Sequence, residues 1–354
     1  MIVKFISRFM LFFAVVFAAS QAFAYDKMIV FGDSLSDNGN FFYHVSDKHI
    51  PETPPYFQGR FSNGPVWVEL LAQRLQLDTN STKQFQDYAL ALTWAADAGP
   101  DGSGGLFSLS YQVADQYLKE EKPQPDAIKN NLFVIWIGSN DYLQEHPRDS
   151  DPNHSAEMET TKAINDIRDN IKLLIDHGAH HFLLLNLPNL GLTPSAIGGG
   201  ETLSKRLTLL SSMHNQKQEK MLNALHVAYP DVEFIQFDLS WYFADLLKNP
   251  AKYDINNVSD PCDPAGYGKA SPPPVAAPMY VTINGQPYDL QQYIATRGSH
   301  MNLLTTEEKS CLDDTQKQRK YLFWDYIHPT AIAHQWIAEF VYNALPKHQL
   351  VSRN

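Results

Sequence analysis

The stretch Met28-Ile29-Val30-Phe31-Gly32-Asp33-Ser34 decides how this chain is read. Its first four residues are apolar without alternation, the pattern of a strand covered on both faces, and a Gly-Asp-Ser turn ends it. Runs of the same kind recur at 132–137, 182–187 and 232–237, with a shorter one at 86–90. Helical periodicity fills the spaces between them: 65–75, where Trp67, Leu70, Leu71 and Leu75 share a stripe, then 158–176 and 202–228. A last helix is expected from Pro329, a residue suited to a first helical turn, to about 345. Strands and helices alternating in this way predict an α/β fold, a doubly wound three-layer sandwich around a mainly parallel five-stranded sheet. Ligands of such sheets sit outside the carboxyl ends of the strands, and the polar motifs of this chain fall there.

With 354 residues, 44% of them hydrophobic and 19% charged, the chain is expected to bury one large core. The first residues are set apart from it. Lys4 and Arg8 precede an apolar run at 9–19, and Ala22-Phe23-Ala24 supplies small residues at the positions a signal peptidase reads. The run is shorter than the about 20 residues needed to span a bilayer. A signal peptide at 1–24, cleaved after Ala24, and a single secreted domain at 25–354 are therefore expected. Cleavage removes two basic residues and no acidic one, taking the formal charge from −11 to −13. Such a protein has no electrostatic footprint for nucleic acid, and its lipid contacts must come from apolar surface.

One segment, about 256–318, breaks the alternation. It is rich in Pro and Gly and carries a hairpin signal at Asn284-Gly285, with Pro287 on the far side. The two cysteines, Cys262 and Cys311, bracket it, and an oxidising compartment makes a disulfide between them the expected state. A loop this long is a lid or a surface excursion. Ending as it does before Asp325, it is expected to cover the site, and an activating protease cutting within 263–310 would open it.

Three short motifs carry chemistry. Ser34 follows the first strand directly, and a hydroxyl there stands at the functional edge of the sheet; a turn or cap is the plainer alternative. A serine nucleophile needs a base. Among thirteen histidines, His328 is singled out by Asp325, three residues earlier in Asp325-Tyr326-Ile327-His328-Pro329. In a helical turn that spacing places the two on one face. The carboxylate could then hold one ring nitrogen while the other takes the serine proton; a helix cap beside a surface histidine is the alternative. Asn140, in Gly138-Ser139-Asn140-Asp141 after the strongest strand, offers an amide donor for an oxyanion, or is an ordinary turn asparagine.

Together these motifs resemble the GDSL (SGNH) family of serine lipases, esterases and acyltransferases. Gly32-Asp33-Ser34-Leu35, Gly138 to Asp141 and Asp325 to His328 stand in the family's order. The resemblance implies an SGNH-type, flavodoxin-like fold, with Ser34 as nucleophile, His328 as base and Asp325 as its orienting carboxylate. The Ser34 N–H and Asn140 would form the oxyanion hole. The family's remaining block is matched by Asp87 to Thr93, with Ala91 where a glycine usually donates a third N–H; alanine keeps the N–H but not glycine's access to positive φ. The segment Gly59-Arg60-Phe61-Ser62-Asn63-Gly64, with Trp67, is similar to the larger secreted phospholipases and the glycerophospholipid–cholesterol acyltransferase group.

The expected activity is hydrolysis of lipid esters, of lysophospholipase or phospholipase A type, with acyltransfer when an alcohol replaces water. It needs no metal and no cofactor, and involves transient contact with a membrane or micelle surface. The aromatic clusters Phe41-Phe42-Tyr43 and Tyr56-Phe57 either line an acyl groove or pack in the core. Removal of acetyl groups from carbohydrate, and non-catalytic lipid or glycan binding on the same fold, are the alternative functions.

Overall fold

The computed structural model describes residues 25–96, 105–143, 152–267, 280–283, 286–289 and 311–346. The expected signal segment at 1–24 and most of the insert expected to act as lid and protease target lie outside the described residues. Five strands form the central sheet: β1 (Met28–Gly32), β2 (Phe85–Asp87), β3 (Leu132–Trp136), β4 (His181–Leu185) and β5 (Glu233–Phe237). All pair in parallel, in the order β2-β1-β3-β4-β5. This is the doubly wound α/β arrangement expected from the sequence. β1, β3 and most of β4 are buried residue by residue, which is why their sequences lack alternation. Aromatic rings continue the core across the sheet, Phe133 to Phe182 at 5.6 Å and Phe182 to Phe234 at 5.5 Å between centroids.

The longer helices are α1 (Trp67–Arg74), α2 (Tyr111–Glu121, a π-helix), α3 (Pro152–Asp176), α4 (Glu201–Ala228), α5 (Leu239–Lys248) and α6 (Ala331–Ala344). From β1 the chain steps to β2 on one side, and from β3 through β4 to β5 on the other. Right-handed crossovers therefore put α1 on one face of the sheet, where it packs with α6, and α3 and α4 against each other on the opposite face. The order reverses between β1 and β3, opening the crevice in which such folds place their ligands.

Two local expectations are corrected and one open alternative is decided. β2 ends at Asp87 and not near 90, because Asp87 accepts the Ala89 and Asn38 N–H groups at 2.9 and 3.2 Å and turns the chain over the end of β1. There Leu90 N–H reaches the Gly32 carbonyl at 3.1 Å. The last helix begins at Ala331, since Pro329 is held extended in a bridge with Phe323. Its first N–H, that of Ala331, is taken at 2.7 Å by the Asn63 side chain. The aromatic clusters near Ser34 in sequence pack in the core or lie on the surface: Phe41, Phe42 and Tyr56 are buried, and Tyr43 is exposed.

Cys262 and Cys311 are joined, with Cα atoms 5.2 Å apart. The segment before Cys262 is not loop but strand: β6 (Asn257–Pro261) pairs in parallel with β9 (Tyr321–Phe323). Strands β7 (Tyr280–Ile283) and β8 (Gln286–Asp289) pair antiparallel, with Pro287 opposite Thr282.

Candidate active site

Ser34 stands in a single helical turn at the end of β1. Ser36 and Asp37 N–H groups both return to the Asp33 carbonyl at 3.0 Å, and Asp33 Oδ1 caps Leu35 N–H at 3.0 Å. Gly32 is required by the close approach of β3, as a Cβ there would sit 2.7 Å from the Trp136 carbonyl oxygen. The Ser34 N–H has no acceptor among the described residues. The same crevice receives the end of β3. There Gly138, at φ +116, passes so close to the buried His214 ring that a Cβ would meet Cε1 at 2.7 Å.

His328 and Asp325 arrive from the far end of the chain. They do not lie on a helical turn. Asp325–His328 is a tight loop between β9 and α6, closed by Trp324 N–H to the His328 carbonyl at 2.8 Å. Asp325 Oδ1 accepts the Ile327 and His328 N–H groups at 2.9 and 2.7 Å, so the carboxylate organises its own loop. The imidazole Nδ1 lies 2.8 Å from Asp325 Oδ2, and its Nε2 lies 2.9 Å from Ser34 Oγ. Asp325 is wholly buried and Ser34 partly exposed. Ser34 and the Asp325–His328 pair, separated by nearly the whole chain, thus form one hydrogen-bonded line, carboxylate to imidazole to hydroxyl.

The loop is docked by 59–64, a segment whose role spacing alone does not reveal. Phe61 packs on the His328 ring at 5.1 Å between centroids, and Ser62 Oγ donates to the Pro329 carbonyl at 2.9 Å. Arg60 pairs with Glu69 at 2.6 Å, and Glu69 accepts Val66 N–H at 3.0 Å at the start of α1.

Asn140 donates one amide hydrogen to the Thr93 carbonyl at 2.9 Å, leaving the second for the cavity it lines. Thr93 is tied back to the Ser34 turn through Gln112 on α2. The Gln112 amide receives Gly32 N–H at 2.9 Å, returns a hydrogen bond to the Gly32 carbonyl at 2.8 Å and donates to Thr93 Oγ1 at 3.1 Å. A buried glutamine on a distant helix therefore fixes serine turn and amide relative to each other.

Ala91, expected to donate to an oxyanion, does not have that N–H free. It is given at 2.9 Å to Asp37 Oδ2. Asp37 also accepts from Gly39, Asn40 and Phe41, binding the 37–41 turn to the 89–92 segment. The next residue, Leu92, has φ +69 and lines the cavity. Its N–H has no acceptor among the described residues. A leucine in the left-handed region is uncommon and costs about 1 kcal/mol or more, a local strain of the kind that gathers at functional sites.

The cavity, about 150 Å³, has Ser34, Asn140 and His328 in its wall. The rest is largely apolar, with Leu35, Trp136, Leu143, Leu190, Leu239 and Phe243 among its residues, and no Lys or Arg among those described. Phe61, Tyr267 and Phe323 also line it, and none of the sequence candidates at 41–43 and 56–57 does. Burial pushes the carboxyl of Asp33, beside Ser34, up to about 7, and that of Asp141 likewise. Asp141 accepts the Ala95 and Ala96 N–H groups at 2.8 and 3.0 Å, holding the segment after Thr93 to the end of β3. Behind β3 and β4, burial drives His214 down to about 4, so it is neutral at pH 7. No group of three or more His, Cys, Asp or Glu among the described residues is arranged to hold a metal ion.

The model of the family described as GDSL-like lipase/acylhydrolase matches residues 28–341. The phosphatidylcholine-sterol acyltransferase of Aeromonas hydrophila is 27% identical over an alignment covering 91% of this chain and 90% of that one. A GDSL esterase/lipase of Arabidopsis thaliana is 27% identical, covering 94% and 90%. The thermolabile hemolysin of Vibrio parahaemolyticus is 26% identical, covering 91% of this chain and 64% of its own. With a match running from the first strand into the last helix, the chain belongs to the GDSL-like lipase/acylhydrolase family.

Proposed function

We propose that this protein is a secreted lysophospholipase or phospholipase A that works through Ser34, His328 and Asp325 and an acyl-enzyme. The observation that carries the reading is the 2.9 Å contact of Ser34 Oγ with His328 Nε2, backed by Asp325, in the wall of a cavity with a largely apolar lining. Ser34 Oγ attacks the ester carbonyl carbon while His328 Nε2 takes its proton, and Asp325 stabilises the imidazolium that forms. The tetrahedral oxyanion is met by the Ser34 and Leu92 N–H groups and the second Asn140 amide hydrogen. Collapse expels the alcohol, which leaves with the proton from His328. Water, or another alcohol, then gives its proton to His328 and takes the acyl group, and His328 returns that proton to Ser34 Oγ as the acyl–serine bond breaks. Water completes hydrolysis, and a sterol or other alcohol completes acyltransfer.

The apolar lining supports a fatty acyl chain, each buried methylene contributing about 0.8 kcal/mol. The acidic mature chain supports contact with lipid through apolar surface and not through charge. The basic, apolar and small-residue order of 1–24 supports export with cleavage after Ala24.

The test is fatty acid release from lysophosphatidylcholine, with Ser34→Ala as control and circular dichroism to check folding. Release that the variant loses is the expected result. Release only from acetyl esters would move the activity to carbohydrate deacetylation. Silence on every ester by an intact fold would leave a binding protein. N-terminal sequencing of exported protein should read from Tyr25.

A further inference from the structure

Tyr56 stands 269 residues before Asp325 in sequence, yet its hydroxyl lies 2.7 Å from Asp325 Oδ2, the oxygen nearer His328 Nδ1. Both side chains are buried, Tyr56 at 4% and Asp325 at 0% exposure. The phenol oxygen also accepts the Tyr267 N–H at 2.9 Å. The tyrosine therefore has one orientation open to it: it takes a hydrogen bond from the backbone and gives its own hydrogen to the carboxylate. Burial and the adjacent Asp325 carboxylate hold the phenol well above the usual tyrosine range, so it keeps that hydrogen at any working pH.

The Tyr267 N–H is aimed by the disulfide-bearing segment. Cys262 and Asp263 N–H groups bond to the Phe323 and Trp324 carbonyls at 3.1 and 2.6 Å, Cys311 N–H bonds to the Cys262 carbonyl at 3.2 Å, and Tyr326 N–H bonds to the Tyr267 carbonyl at 3.2 Å. The segment 262–267 is thus laid along the Asp325 loop and fixed at both ends. We propose that Tyr56 is a positioning residue for His328: its hydroxyl, braced by the disulfide-anchored Tyr267 backbone, fills the last acceptor position of Asp325 and sets how strongly that carboxylate draws on the imidazole. The proposal rests on the reading of Ser34, His328 and Asp325 as the reacting set.

Asp325 accepts from Ile327 N–H, His328 N–H, His328 Nδ1 and Tyr56. A donor removed from a carboxylate leaves more of its charge to its remaining partners. Without the Tyr56 hydroxyl, the Asp325 carboxylate favours the imidazolium more, and the imidazole keeps its proton to higher pH. The other titratable groups around the pair are Asp33 at the end of β1, His334 on α6, and Tyr267 and Asp263 on the disulfide segment. None of these changes in the substitution.

The experiment measures the pH dependence of kcat/KM on a soluble short-chain ester, and of the rate at which a fluorophosphonate labels Ser34, which needs only the serine and its base. Tyr56→Phe should move the acidic limb of both profiles up by about half a pH unit, roughly threefold in proton affinity, with kcat lowered and KM held. Replacing Tyr56 by 3-fluorotyrosine keeps the shape and makes a stronger donor, so the limb should move down; this variant decides the matter if Tyr56→Phe folds poorly. In an Asp325→Asn background Tyr56→Phe should leave the limb in place. A uniform rate loss with the limb unmoved in both variants would overturn the proposal and leave Tyr56 a packing residue. Undiminished labelling and turnover in Ser34→Ala would instead bring down the underlying reading.

Discussion

Asn140→Ala tests the proposed oxyanion site most directly. In the folded protein one amide hydrogen of Asn140 is committed to the Thr93 carbonyl at 2.9 Å, and that bond aims the other. The donor is thus fixed before substrate arrives and costs no reorganisation when charge develops. Two further donors, the N–H groups of Ser34 and Leu92, stand in the same cavity wall. Loss of one preorganised donor from such a set lowers kcat by about 10²–10³, or about 2.7–4 kcal/mol of transition-state stabilisation. The ground-state carbonyl gains far less from the same contact, so KM should change little. The fold should lose about 1 kcal/mol with the Thr93 bond. Steady-state kinetics on a chromogenic short-chain ester separate kcat from KM, and thermal unfolding monitors stability. A kcat within tenfold of wild type, or a loss confined to KM, would refute the assignment of Asn140 to the transition state.

Gln112→Leu removes the clamp between Gly32 and Thr93. A buried amide making three hydrogen bonds should cost about 3 kcal/mol in urea unfolding and at least tenfold in kcat, because serine turn and amide donor are no longer held together. Leu92→Gly should keep activity within a few-fold, since glycine adopts φ +69 freely. Leu92→Ile, β-branched at positive φ, should lose both stability and activity; equal behaviour of the two would refute the role given to that backbone position. His334, wholly buried with Nδ1 accepting Trp67 N–H, is driven down to about 3 by burial. Its folded value lies below the unfolded value of about 6.5. The unfolded chain alone therefore takes up the proton as pH falls through that window, and stability is lost. Relative to His334→Gln, the wild type should lose about 2 kcal/mol between pH 6.5 and 4.5, read from urea midpoints at each pH; a constant difference would refute it.

The sheet was legible because its strands are covered on both faces and so carry unbroken apolar runs. Ser34 and Asn140 were legible because each follows a strand of the central sheet, and Asp325–His328 because a carboxylate stands three residues before a histidine just ahead of the last helix. Local geometry was less so. Spacing of three between Asp325 and His328 fits a helical turn equally well, and only the Phe323–Pro329 bridge and the Trp324–His328 hydrogen bond make it a tight loop. Gln112 and Tyr56 could not be found from spacing. They stand 80 and 269 residues from the groups they hold, and nothing local marks a buried glutamine or tyrosine as anything but core.

The Ala91–Leu92 pair shows where pattern reading misleads and why. Motif alignment sought an N–H at the position of a glycine, and alanine retains an N–H. A backbone donor is available only when no acceptor faces it, however, and that depends on the fold. Asp37 lies on the 37–41 turn, and its carboxylate takes the Ala91 N–H together with three others. The three local bonds close the 37–41 turn, and the Ala91 bond, with Asn40 Nδ2 to the Ala89 carbonyl at 2.9 Å, ties the 89–92 segment to it. The Ala91 N–H is thereby committed to structure. Both Ala91 and Leu92 line the cavity, but only Leu92, at φ +69, has its N–H unclaimed among the described residues. The signal available in the sequence was Asp37 itself: an acidic residue in an otherwise buried turn must be satisfied by several backbone donors, and the 89–92 segment is one of the few places they can come from.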